Sequence, residues 1–442
     1  MNKLVVLLAC LALAGSALGQ TWTNGPQSTF AYMRFDGEYF PGTAKVYFLG
    51  GRVGYLTTLG DIYSYTPLTG AYADVGVNMP VAVSNYDICL LRDDHDLSNG
   101  DTFGLYIVGG RYDVAPNYLD SVQVYYPTSN TAEVLHTDAF PGLAGGWITV
   151  AQSAIAYNNL MYVFGGFSDS GSATSAQAWL FDPLGTAGSR WSQLADMPLA
   201  RAYPIAAIVD SFLFACGGDT WQNDSLLPRA QCQRLNLNDT AAGWTLVANM
   251  PVPTSQARAF GFDSDLAGDF AGDIIVAGRA VWPSESADCY IYDVASDSWD
   301  TFPSLAQRRR NHAGVYIPPE AGGTGVPGIW VFGGRQDLDT LCLQISEYYV
   351  INPIGAEENS GAQVGRGATV TPNPSRGQAT IHLGPGAGGK ATLKVFDVLG
   401  KEVCSGRSDR GSFVVKGLAA GTYVVRLETK NGKEETKFVV TR

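Results

Sequence analysis

Apolar and polar residues alternate along most of the chain in short runs, and six of those runs end on a glycine turn. They read KVYFLGGRV from Lys45, LYIVGGRYD from Leu105, MYVFGGFSD from Met161, FLFACGGDT from Phe212, IIVAGRAVW from Ile274 and IWVFGGRQD from Ile329. Alternation of period two predicts half-buried strands, and the glycines mark where the backbone must turn tightly. The last glycines, Gly51, Gly110, Gly166, Gly218, Gly278 and Gly334, recur at intervals of 59, 56, 52, 60 and 56 residues. A period of that length filled with strand patterns predicts about four strands per repeat, the sequence signature of propeller blades.

The fifth repeat shows the order of strands. ARAFGFD at Ala257 is the inner strand, DIIVAG at Asp273 the second, CYIYD at Cys289 the third and SWDTF at Ser298 the outer one. The third and fourth repeats follow the same plan, with outer-strand tryptophans Trp191 and Trp244. The sixth repeat lacks an outer strand after Glu347, whereas QTWTNGPQ at Gln20 reads as an outer strand and its turn. Residues Thr21 to Thr23 are therefore expected to complete the last blade and join the ends of the ring, which removes an exposed edge.

These features resemble the kelch family of β-propellers: the apolar strand ending in Gly-Gly, the aromatic-Asp strand at Tyr292-Asp293 and Phe181-Asp182, the tryptophan that follows, and the Met-Pro turns at Met197-Pro198 and Met250-Pro251. The resemblance implies an all-β fold with six kelch-like blades over residues 20–353. The repeats are degenerate, since the first two lack the tryptophan and Ala277 stands for the first glycine of the fifth.

The C-terminal region differs in kind. Residues 354–368 are polar, glycine-rich and aperiodic, a linker by composition. From 369 to 442 short alternating strands predict a small Ig-like β-sandwich. Residues 361–442 hold 13 Lys+Arg against 6 Asp+Glu, +7 of a whole-chain −12, which leaves −19 for residues 1–360. The asymmetry separates two domains and argues against nucleic-acid binding by the larger one. Pro372, Asn373 and Pro374, then Leu393 to Asp397 with Gly400, Gly421 with Tyr423, and the closing Lys437 to Val440 with Val439 resemble the C-terminal sorting domain of the type IX secretion system. That resemblance implies the type IX machinery as a partner and delivery outside, or to the outer-membrane surface, of a Bacteroidetes-type bacterium.

Residues 1–19 have a basic start at Lys3, a short apolar run and a small-residue exit, the form of a secretory signal peptide, and no later stretch is long and apolar enough for a membrane helix. Cys216 ends one strand and Cys232 begins the next, a placement that would let a disulfide form in an oxidising compartment. No CxxC pair or Cys/His cluster points to zinc, and no cofactor or metal is expected. The Asp-rich hairpins at Asp93 to Asp101 and Asp263 to Asp273 read as solvated turns, since neither has EF-hand spacing.

Arginine follows the glycines in four repeats. Arg52, Arg111, Arg279 and Arg335, with Arg309 and His312 from the other loop set and Trp221 and Trp282 on longer loops, are the candidate ligand-binding residues at one rim of the channel. A guanidinium fork suits carboxylates and aromatic faces suit sugars, so an acidic glycan or a protein carboxylate is the expected ligand. The bland alternative is that these arginines brace neighbouring blades. The protein is expected to be monomeric and to act by binding. The alternative is a carbohydrate-active enzyme similar to the six-bladed kelch sialate mutarotases, with His312 and Glu285 as acid/base candidates. Copper chemistry of the galactose-oxidase kind lacks the histidines it needs, since the propeller has only His95, His136 and His312.

Overall fold

The structure is a computed structural model. It describes residues 21–351 except 55–56, 99, 113–118, 144–152, 169–172, 265–269, 282–283, 319–325 and 338–340, and residues 369–441 except 372–374, 377, 383–390, 398–401, 409–411, 419–420 and 430–431. The chain divides into two compact units, Met1–Ala356 and Glu357–Arg442. The signal-peptide and linker segments, Trp282, Pro372, Asn373, Pro374 and Gly400 lie outside the described residues.

The larger unit is built from four-stranded antiparallel sheets. In chain order their inner strands are Gly37–Phe40, Cys89–Asp96, Ala154–Tyr157, Ile205–Val209, Arg258–Gly261 and Ala313–Ile317, and the sheets are numbered from first to sixth in that order. Inner strands of successive sheets pack against one another, and that of the sixth packs back on the first. Facing sheets interlock through apolar clusters such as Ile205, Phe214, Ile274, Val276 and Tyr292 between the fourth and fifth. Burial of such side chains, each worth about 1.5–3 kcal/mol, is the main force holding neighbouring sheets together.

Ring closure follows the sequence expectation. Thr23–Asn24 pairs antiparallel with Ser346–Val350, Thr23 opposite Tyr348 and Asn24 opposite Glu347. Trp22 is buried in the cluster between the fifth and sixth sheets. Its indole N–H donates to the carbonyl of Pro303 at 2.7 Å. Trp191, Trp244 and Trp299 do the same toward Asp138, Ala195 and Ala248, at 2.9, 3.1 and 3.0 Å. In every case the acceptor lies just past the outer strand of the preceding sheet. The N-terminal tryptophan thus takes the place in the sixth sheet that the chain's own repeats assign to the outer strand.

The glycine pairs are joints between sheets. The second glycine donates to a carbonyl in the entry loop of the next sheet: Gly166 to Arg201 at 2.8 Å, Gly218 to Thr254 at 2.8 Å and Gly334 to Tyr32 at 2.9 Å. The first glycine makes room for that carbonyl. Gly217 has φ +59°, and a Cβ there would sit 2.2 Å from the Thr254 oxygen.

The smaller unit has a three-stranded sheet, Thr369–Thr371, Gln378–His382 and Ser412–Lys416, and a five-stranded one containing Ala391–Asp397 and Gly421–Thr429. Ile381, Leu393, Val395, Val415, Tyr423 and Val425 form its core. Gly421 opens the Gly421–Thr429 strand, while Lys437 and Val439 lie on the last strand, Gly432–Thr441.

The two cysteines expected to be able to pair lie face to face. Cys216 and Cys232 are directly opposed across paired strands, but both are free, buried thiols. Burial raises the Cys216 pKa well above the ordinary thiol range, which keeps the thiol protonated and unreactive.

Candidate functional site

The entry loops of five sheets repeat one conformation. In each, a residue bridges to the segment after the glycines: Met33 with Arg52, Ser84 with Arg111, Ala202 with Asp219, Ser255 with Ala280 and Arg310 with Arg335. The next residue adopts a left-handed backbone, namely Arg34, Asn85, Tyr203, Gln256 and Asn311, with φ between 51° and 60°. Backbone N–H groups link these residues sheet to sheet, Asn311 to Gln256 at 3.0 Å, Arg34 to Asn311 at 2.7 Å and Asn85 to Arg34 at 2.6 Å. Side chains reinforce the collar: Asn311 Nδ2 donates to Gln256 Oε1 at 2.8 Å, and Arg34 Nη1 donates to Asn85 Oδ1 at 3.3 Å.

Outside this collar lies a cavity of about 470 Å³. Arg34, Arg111 and Asp219 line one part of it, and Phe167, Trp221 and Leu226 supply apolar surface. Trp221 and Leu226 face each other as a cross-strand pair on the hairpin formed by Asp219–Gln222 and Ser225–Pro228. Leu226 packs against Phe167, Ala202 and Tyr203, which fixes that wall. Asp219 is buried, and burial pushes its carboxyl up to about 6 against the pull of Ser255, Gln256, Arg310 and Arg201.

Inside the collar a second cavity, of about 210 Å³, touches the inner strand of each of the six sheets or the residue leading into it. Tyr203 borders both cavities. The inner one carries Asp36, Glu38, Asp87 and Arg258 among alanines and Gly314. Arg258 Nη1 pairs with Asp87, Nη2 lies 3.3 Å from Asp36, and Nε donates to the His312 carbonyl at 2.9 Å. Asp87 accepts from the Ala154 amide at 3.0 Å and Asp36 from that of Ile88 at 3.2 Å. Burial and the charge of Asp87 push Asp36 up to about 7 although Arg258 opposes them, and burial with the charge of Asp36 pushes Glu38 to about 8.

The described residues singled out by sequence fall in three places. Arg111 and Trp221 line the outer cavity, with Asp219 from the same post-glycine position. Arg279 lies on the extended second strand of the fifth sheet and pairs with Asp288 at 2.8 Å. Arg52, Arg309, Arg335 and His312 are instead buried. Arg309 Nη2 donates to Glu347 Oε1 at 2.6 Å, both side chains fully buried, and Nη1 donates to the Gly333 carbonyl at 2.9 Å. This is the bracing role, and it is an interior one. Burial, reinforced by Arg309 and Arg258, holds the His312 imidazole well below its ordinary range, so it stays neutral. Glu285 is occupied by the Asp337 amide at 3.2 Å and by Arg308 at 3.4 Å, partners unrelated to His312.

Arg34, Asp36, Asp87, Tyr203 and Arg258 complete the two cavities, and the first four of them are residues that reasoning from sequence does not single out as a site. The signal lies in the entry loops: aligned on the left-handed residue, Asp36, Asp87 and Arg258 occupy one register of the repeat.

The architecture is that of a β-propeller followed by a separate β-domain, and the comparisons agree with it. Residues 150–198 match the kelch motif, and residues 369–441 match the family described as secretion system C-terminal sorting domain. The chain therefore carries a kelch-repeat propeller and a type IX sorting tail, which marks it for export to the cell surface or beyond. It is 24% identical over 270 residues to Kelch-like protein 25 of Xenopus tropicalis. That alignment covers 59% of this chain and 39% of that protein, so the chain spans well under half the length of this relative. It also resembles the solved structure titled "Structure of YjhT", with a TM-score of 0.53 at 15% identity over 73% of this chain and 96% of that one, a likeness of fold.

Proposed function

We propose that this exported kelch propeller, carrying a signal peptide at residues 1–19, recognises an acidic glycan, or a carboxylate presented by a protein partner, at the outer cavity. One observation carries the reading. Arg34 and Arg111, from the entry loop of the first sheet and the post-glycine segment of the second, line the same cavity as Trp221. Guanidinium groups match carboxylate geometry, and an indole face matches the apolar face of a sugar ring. The propeller region is acidic overall, and these two cations stand with Asp219 and Asp224 in the lining, so the cavity offers both signs of charge to a ligand.

A second reading, an acid/base enzyme of the mutarotase kind, is favoured by Asp219, a buried carboxyl lifted toward neutrality in the same cavity. Glycan-array binding by the wild type and by the Arg34→Ala/Arg111→Ala variant tests the first reading. Selective binding of acidic glycans that the double variant loses supports it, and undiminished binding by the variant overturns it. Turnover of a bound glycan by the wild type, lost in Asp219→Asn, would decide for the enzyme.

A further inference from the structure

Asp219 is the feature of the outer cavity that anion binding alone does not use. It is 2% exposed and lines the cavity beside Ser255, which is 1% exposed. Its Oδ2 takes only a long bond of 3.5 Å from Gln256 Nε2. The Ser255 hydroxyl acts on it as a hydrogen-bonding neighbour that favours the charged carboxylate, yet neither Asp219 Oδ1 nor Ser255 Oγ has a hydrogen-bond partner of good geometry among the described residues. The cations that act on its charge are Arg310 and Arg201, so the carboxylate is not consumed by the two arginines of the cavity. A buried carboxylate oxygen left without a donor is costly, and a ligand that brings the donor recovers that cost.

We propose that Asp219, with Ser255, is the specificity-determining acceptor of the outer cavity, and that it selects ligands carrying a hydroxyl donor as well as a carboxylate, a polyhydroxylated acid of the uronic-acid class. The inference rests on the carboxylate reading of Arg34 and Arg111. Three features divide the work. The arginines hold the ligand's negative charge, Trp221 covers an apolar face, and Asp219 accepts from a ring hydroxyl. A plain carboxylic acid satisfies the first two and brings no donor to Asp219; a neutral sugar satisfies the last two and brings no carboxylate to the arginines.

The test is calorimetric titration of the full-length protein and its Asp219→Asn variant with D-glucuronate and with cyclohexanecarboxylate, which keeps the carboxylate and the six-membered ring but has no hydroxyls. The wild type is expected to bind glucuronate at least ~10-fold more tightly. Asp219→Asn is expected to lose that preference while binding cyclohexanecarboxylate equally or more tightly, since a negative charge has gone. Equal wild-type affinities, or a preference that survives in Asp219→Asn, overturns the role of Asp219 and leaves the carboxylate reading standing. Failure of the wild type to bind either probe overturns the carboxylate reading and this inference with it. The wild-type comparison needs no variant, so the outcome does not depend on whether Asp219→Asn folds.

Discussion

Arg258, on the inner strand of the fifth sheet, forms an ion pair with Asp87 at the entrance to the second sheet, 171 residues earlier in the chain. The same guanidinium lies against Asp36 of the first sheet and donates to the carbonyl of His312, before the sixth. Through Asp87 it also reaches the Ala154 amide of the third. One side chain therefore ties together sheets far apart in sequence, across the channel and away from the apolar clusters between neighbours.

Removing that hub leaves two buried carboxylates without their cation. Arg258→Ala is expected to destabilise the propeller by about 3–5 kcal/mol. Denaturant unfolding at neutral pH measures it. A loss under ~1 kcal/mol would mean that the apolar interfaces alone hold the ring.

Glu38 sets an unusual pH dependence. Its carboxyl rises from an ordinary value of 4.5 to about 8 through burial and the charge of Asp36. A group with a raised folded-state pKa adds stability that is fully present below the unfolded value and is lost as pH climbs through the folded one. The melting temperature is therefore expected to fall between about pH 5 and pH 9. Asp36, pushed to about 7, acts in the same direction. Glu38→Gln should remove the upper part of that slope, raising stability near ~pH 9 by on the order of 1 kcal/mol. Melting curves across this range check it, and a flat wild-type profile would contradict it.

Gly217 tests the joint between the fourth and fifth sheets. With φ +59° and the Thr254 oxygen 2.2 Å from where a Cβ would stand, Gly217→Ala is expected to cost about 3 kcal/mol. Gly54 has a matching φ of +58° but open space around it, so Gly54→Ala should cost only about 1 kcal/mol. Equal losses in the two variants, read by chemical unfolding, would show that conformational strain rather than the close approach between sheets is what the glycine relieves.

Closure of the ring rests on Trp22. Its indole packs edge-on against Tyr349, ring centroids 5.8 Å apart, and bonds the Pro303 carbonyl. Trp22→Ala is expected to cost about 3–5 kcal/mol, comparable to Trp299→Ala within the chain. A melting temperature unchanged by Trp22→Ala would sink the closure.

The repeat, its strand order and the N-terminal strand that completes the sixth sheet are legible in the sequence because period and composition report architecture directly. Gly-Gly is legible as a turn, but its role as a joint to the next sheet is not, because the acceptors at Arg201, Thr254 and Tyr32 lie tens of residues away from it, or at the other end of the chain. The candidate site is half legible. Arg111 and Trp221 stand out because they follow the glycines onto a loop. Arg309 and His312 read in RRRNHAG as polar loop residues yet are buried, as are Arg310 and Asn311 between them, because their surroundings come from segments distant in sequence, such as Glu347 and Gly333 around Arg309. Arg34 escapes notice because in YMRFDGEYF it resembles a lone charge in an aromatic run. Its left-handed backbone, shared with Asn85, Tyr203, Gln256 and Asn311, is what brings it to the collar.

Anion binding at the outer cavity stands or falls with Arg34 and Arg111. The calorimetric affinity of the full-length protein for an acidic glycan drawn from the array, set against that of the Arg34→Ala/Arg111→Ala variant at low and at physiological salt, probes both side chains at once. The double variant is expected to bind at least ~10-fold more weakly and with less dependence on salt. Equal affinity and equal salt dependence in the two proteins would contradict anion recognition by these arginines.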